Sequence, residues 1–227
     1  MSGADLIVDP TSKIEGSYAT ITEALRAAQP DDRINVRRGA YNEALVIDKP
    51  VTIVGDGEAS RVRISASGKP VVVFDTEKGM VRVANVSLSQ TGGGDWPAVD
   101  IISGEPLIEQ CDISSNSLAC VAIHGNACKP TVKRNRIFDG RKQGVHVYDY
   151  ATGVIEDNKI FGNQEAGIDV HSSANPKVKN NYIYDGNKFG IWVHDDGQGL
   201  FEDNEVYLND QIGLKISTRG RPGAFLL

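Results

Sequence analysis

From Thr131 onward, hydrophobic and polar positions return in register every 23 residues. The apolar positions Ile137, Ile160, Ile183 and Val206 keep this period, and so do the aromatics Phe138, Phe161, Tyr184 and Tyr207. Gly144, Gly167, Gly190 and Gly213 share it, as do the polar Asn135, Asn158, Asn181 and Asn204. The preceding unit fits with one extra residue: Ile108, Cys111, Ile113 and Cys120 fall where Val132, Asn135, Ile137 and Gly144 fall next. That extra residue belongs in the loop around Gly125–Thr131. Within each unit, short runs alternate apolar and polar, the period of a strand. Asp-Gly, Gly-Asn and Asn-Asp pairs between the runs mark turns.

A leucine-rich repeat of similar length needs a Leu-x-x-Leu-x-Leu frame and a helix-like return, and the chain offers neither. The pattern predicts an all-β, right-handed parallel β-helix, in which each position recurs above itself at about 4.8 Å. Stacked asparagines can then hydrogen-bond along the column, as in other Asn ladders. Cys111 stands at the head of that column.

Upstream the repeat degenerates but strand-like runs continue at Val51–Gly57, Val62–Ser67, Val71–Asp75 and Val81–Ser89, and Thr91–Trp96 reads as a protruding loop. One helix is expected, at Ile21–Ala28, with Thr20 and Glu23 as a capping box and Pro30 as its stop. The open end of a β-helix exposes unpaired backbone and core, so this helix is the natural cap. The expected division is a cap at residues 1–30, coils at 31–218 and a tail at 219–227, whose Ala224–Leu227 would cover the last coil or meet another molecule.

Strand alternation directs Val145 and Val147, Ile168 and Val170, Ile191 and Val193, Leu214 and Ile216 into the core. Their neighbours form two outward columns: Ala122, His146, Asp169, Trp192, Lys215, and His124, Tyr148, His171, His194, Ser217. All four histidines of the chain fall here, which makes this face the first candidate for function. A second face alternates in charge, with Lys133, Glu156, Lys179 and Glu202 stacked and Arg134, Asp157, Asn180 and Asp203 nearly so. Such stacks stabilise register, weakly for each exposed pair. The aromatic column at Phe138 points outward by alternation from Ile137, and half-buried packing is expected for it.

The net charge of −6 and the lack of a basic stripe set nucleic acid aside as a partner. Three closely spaced cysteines, Cys111, Cys120 and Cys128, make no disulfide framework. Met1–Asp5 lacks the basic and apolar regions of an export signal, and no apolar run is long enough to span a bilayer. These features lead to an expected cytoplasmic location without membrane attachment.

The segment Tyr18–Gly57 is similar to the N-terminal coils of pectinesterase-like proteins. Asn175–Val206 resembles the repeats of the carbohydrate-binding and sugar-hydrolase (CASH) group, within the pectate-lyase-like folds, and also the β-helix of F-box ubiquitin-ligase substrate adaptors. The resemblance covers nearly the whole chain and implies the fold. It leaves the activity open, because the group holds lyases, epimerases, metal-handling proteins and pure binding domains. Gly39–Glu43 looks like the G-x-Y-x-E motif of pectinesterases, but the catalytic glutamine and aspartate motifs of those enzymes are not found. Gly167-Ile168-Asp169-Val170-His171 looks like the Y-G-[FI]-D-P-H motif of mannuronan C5-epimerases, in which the Asp and His are catalytic. Here Ala166 and Val170 replace the Tyr and Pro, so the motif's proton donor is missing.

The leading expectation is a binding module, alone or as one domain of a larger protein. It would offer His124, Tyr148, Trp192, His194 and Asp195 to a protein or polysaccharide. The alternative is a polysaccharide lyase or C5-epimerase using Asp169, His171, His146 and Lys215, with a base and a cation set around a uronate. His171 and His194 with Asp169 or His146 are close enough to share a metal, but a flat sheet closes poorly around an ion. No metal site and no cofactor are therefore expected. The oligomeric state stays open, with end-to-end contact through the last coil as one option.

Overall fold

The computed structural model describes residues 3–76 and 79–226, with backbone alone for 224–226. Among these residues the chain winds into a right-handed solenoid with three parallel sheets, which we label A, B and C. Sheet A has ten strands, and sheets B and C have eight each. One coil places Thr131–Lys133 in sheet A, Arg136–Phe138 in sheet B and Val145–Tyr148 in sheet C. The next coil repeats this with Val154–Glu156, Lys159–Phe161 and Ile168–Val170. The register follows the sequence period, with Ile137 on Ile160 and Val145 on Ile168.

The core is a set of aliphatic columns running along the axis. Val132, Ile155, Val178 and Phe201 come from sheet A, Ile113, Ile137, Ile160 and Ile183 from sheet B, and Val145, Ile168 and Ile191 from sheet C. Leu214 and Ile216 were expected to join this core. Both lie on the last described coil of sheet C, where no later strand covers them; Leu214 is half-buried and packs against the core, while Ile216 is 48% exposed.

The corner between sheets A and B explains the asparagines. Asn158 Oδ1 accepts from the Asn135 backbone N–H at 2.9 Å, and Asn158 Nδ2 donates to Val132 O at 2.9 Å. Asn181 repeats both bonds one coil on. The column starts at Cys111, whose N–H donates to Asn135 Oδ1. The residue before each ladder position is left-handed: Arg134, Asp157, Asn180 and Asp203 all have φ of 52–57°. This corrects the charge-column reading of those four. Their backbone conformation, which Asn and Asp tolerate best, governs the position. The neighbouring column does alternate in charge, with Lys179 Nζ 2.8 Å from Glu156 and Lys133 Nζ 3.7 Å from Glu109.

The corner between sheets B and C carries a second ladder that sequence reading missed. Gly140 N–H donates to Asn163 Oδ1 at 2.9 Å, and Gly186 N–H to Asn209 Oδ1 at 3.0 Å. A Cβ on Gly140 would sit 2.7 Å from that oxygen, so glycine and asparagine alternate here.

Helix α1, Ile21–Ala27, caps the first coil and carries the expected capping box. The G-x-Y-x-E residues serve this cap. Glu43 accepts from the N–H groups of Ile21 and Thr22, and buried Tyr41 donates its hydroxyl to Arg37 O. Asp5–Val8 pairs with Arg33–Val36 as the first strand of sheet A, and Ala224–Leu226 pairs with Leu200–Glu202 as its last. A further strand thus covers the backbone edge at each end, and for Ala224–Leu226 this is the covering of the last coil that was one of the expected outcomes. How the side chains of Ala224–Leu227 pack lies outside the described residues. The extra residue of the irregular unit sits where anticipated, between Val121–His124 and Thr131–Lys133.

On sheet B, Phe138, Phe161, Tyr184 and Tyr207 stack with centroids 5.1–5.3 Å apart and planes within 11°. Their column faces outward and is half-buried by its own stacking, with Tyr207 at the exposed end.

Candidate functional site

Sheet C brings the two outward columns together. Asp100, Ala122, His146, Asp169, Trp192 and Lys215 are Cα partners in successive coils. His124 pairs with Tyr148 in the second column, and His171, His194 and Ser217 continue it just past the strand ends. Their N–H groups keep the parallel ladder by donating to Val147, Val170 and Val193. The chain then turns through left-handed pairs such as Ser172 and Ser173.

The rings form one continuous row. His124 stacks on Tyr148 at 4.9 Å, Tyr148 on His171 at 5.5 Å, His171 on His194 at 4.8 Å and His194 on Trp192 at 3.9 Å. Interplanar angles stay within 25°. Because the ring faces are spent on one another, and both nitrogens of His171 and His194 are hydrogen-bonded within the protein, what the row offers outward is ring edges and the Tyr148 hydroxyl. Lys215 Nζ closes the row, 4.1 Å from the Phe189 centroid and 4.7 Å from that of Trp192.

Asp169 is the polar centre. Its column faces outward as expected, yet it is only 2% exposed. His194 Nε2 lies 3.0 Å from Oδ1, and Gln143 Nε2 donates to Oδ2 at 3.0 Å. Asp195 holds the other side of the His194 ring, 2.8 Å from Nδ1. Burial pulls the His194 pKa down, but its hydrogen bonds to the two carboxylates prevail and the net shift is upward. His146 and His171 go the other way. Burial lowers both, His146 to about 4. Their Nε2 atoms meet at 2.7 Å, and His171 Nδ1 lies 2.8 Å from Ser172 Oγ. Burial first, then Asp100 and Asp149, raises Tyr148 to about 12.

The structure therefore gathers two hydrogen-bonded sets side by side, His146 with His171 and Ser172, and Gln143 with Asp169, His194 and Asp195, joined by the stacking of His171 on His194, with Tyr148, Trp192 and Lys215 packed around them. His124 is drawn aside to Asp100, at 2.9 Å. Gln143 and Phe189 were missed as site residues. They stand one residue before Gly144 and Gly190, a repeat position that had not been read as a column. The epimerase-like motif has buried Ala166 where the tyrosine would be, and the ring that reaches His171 is Tyr148 from the preceding coil.

Residues 71–223 match the family described as right handed beta helix region. The match spans well over half of the chain, and the protein belongs to that family. Among solved structures, the A-module of an Azotobacter vinelandii mannuronan C-5 epimerase is similar with a TM-score of 0.63 at 12% identity, over 86% of this chain and 66% of that one. A pectin methylesterase in complex with a hexasaccharide gives 0.63 at 11% identity, over 92% and 80%. The pectin methylesterase of Erwinia chrysanthemi gives 0.61 at 11%, over 94% and 81%. The chain thus spans just under two thirds of the epimerase module. At such identities the common property is the fold. Among the described residues, no helix is long and apolar enough to cross a membrane.

Proposed function

We propose that the protein is a β-helix binding module whose sheet C face takes a polysaccharide chain. The observation that carries this reading is the unbroken ring row from His124 to Trp192. It runs along the solenoid axis and sets ring edges at a coil spacing of about 4.8 Å. A linear polymer lying along the axis meets a ring edge at each coil, and a sugar hydroxyl suits the Tyr148 phenol. Asp169 and Asp195 fix His194 within the row, and Lys215 adds a cation at its end. The fold neighbours named above include enzymes of polysaccharides, one of them solved with a hexasaccharide.

Affinity electrophoresis against a panel of neutral and uronate polysaccharides tests the reading. Retardation by at least one polymer is expected, and Trp192→Ala and Tyr148→Ala should each weaken it about tenfold or more. Binding unchanged in both variants would remove this face from the function. Unsaturated product, or deuterium uptake at C5 of a uronate polymer, abolished in His171→Ala, would make the face an active site of the lyase or epimerase kind.

A further inference from the structure

We infer that His146 Nε2, His171 Nε2 and the Asp169 carboxylate form a binding site for a divalent first-row transition ion. This inference does not rest on polysaccharide binding. His146 and Asp169 come from adjacent coils of one column and His171 from the neighbouring column, so stacking assembles ligands that lie 23 and 25 residues from His146 in the sequence. The three donor atoms lie within 4.8 Å of one another. The two Nε2 atoms point at each other at 2.7 Å. Tetrahedral zinc with its usual bonds to two imidazoles separates their nitrogens by roughly 3.3 Å. Small ring rotations open the pair that far.

The surroundings hold the ligands in place. Ser172 Oγ engages His171 Nδ1, which leaves Nε2 as the ligating atom. Gln143 and His194 each occupy one lone-pair site on a different Asp169 oxygen. Each oxygen keeps another site free for an ion. Such outer partners orient ligands in metal centres generally. Two imidazoles and one carboxylate suit zinc, cobalt or iron, and suit calcium poorly. A flat sheet seemed unable to close around an ion. His171 escapes that limit because it sits one residue beyond the strand Ile168–Val170, where the chain begins to turn.

The test is titration of the chelator-stripped full chain with Zn²⁺ alone, followed by calorimetry, with Co²⁺ absorption as a geometric readout. One equivalent should bind, the melting temperature should rise, and Co²⁺ should give the intense visible bands of a four- or five-coordinate ion. His146→Ala and His171→Ala should abolish all three effects. Asp169→Asn, which keeps shape and one of the two accepted hydrogen bonds, should weaken binding at least tenfold. Glu156→Gln on sheet A should leave binding intact. Circular dichroism of each metal-free variant separates ligand loss from unfolding. The inference is overturned by failure of the wild-type chain to bind Zn²⁺, by binding that survives both histidine substitutions, or by effective competition from Ca²⁺. The first of these results would leave the 2.7 Å contact as a shared proton between two imidazoles.

Discussion

Glu43 reaches back to Thr22 and caps helix α1 from outside the helix. Its carboxylate accepts from the Thr22 backbone at 2.8 Å and from the Ile21 backbone at 3.0 Å, while Thr20 and Glu23 form the local capping box. Two orphan N–H groups at the positive end of the helix thus meet one anion. Glu43→Ala should cost about 1–2 kcal/mol in urea unfolding, with Glu43→Gln recovering part of the loss. Polysaccharide binding at sheet C should not change in either variant.

Asn158→Ala should cost more than its size suggests. The substitution orphans the Asn135 N–H and the Val132 carbonyl, both in the interior. At about 1–3 kcal/mol for each unsatisfied buried group, a loss of roughly 2–6 kcal/mol is expected. Lys159, the next residue, is exposed, and Lys159→Ala should stay within about 0.5 kcal/mol. Equal losses in chemical denaturation would contradict the ladder.

Gly167 belongs to the fold, whatever the epimerase-like motif suggests. A Cβ there would lie 2.5 Å from Ile183 Cγ2 and 2.8 Å from Gly190 O. Gly167→Ala should therefore destabilise by about 1–3 kcal/mol through overpacking. A stability change near zero would show that the coils part easily at this corner.

The three thiols should be silent in the folded chain. Burial raises Cys111 to about 12 and Cys128 to about 11, and raises Cys120 as well. Thiolate is the reactive form, so an aromatic disulfide reagent at pH 8 should label none of them before urea is added, and all three afterwards. The same shifts make stability fall at alkaline pH. Unfolded thiols lose their protons near the ordinary value of 9, while the folded ones keep theirs. The native state then binds more protons, and the slope of stability against pH is negative. Denaturation midpoints should decline from about pH 9 upward, and replacement of the three cysteines should flatten that limb.

The 23-residue period made the solenoid legible, because four residue types agreed on it at once. Strand alternation then gave the outward columns of sheet C, and with them nearly every residue of the candidate site. What stayed hidden depends on backbone angles and on side-chain reach. The left-handed corner at Arg134 and Asp157 looked like a charge pattern because Asp and Asn serve both purposes. Gln143 and Phe189 lie before the strands and were not assigned to a face. The two columns could be seen to lie close enough for His171 and His146 to share an ion, but the direct contact of their Nε2 atoms depends on side-chain rotamers. In the epimerase-like motif the glycine and isoleucine are repeat positions, which leaves Asp169 and His171 as its entries in the outward columns.

The coil that holds one more residue between His124 and Thr131 keeps every column in register on both sides. Length is thus negotiable at the corner between sheets C and A, while along the axis it is quantised. A graft at that corner should leave the ring row untouched. Insertion of a whole period should lengthen each column by a single step, which makes the reach of the sheet C surface an engineerable quantity, set by counting coils.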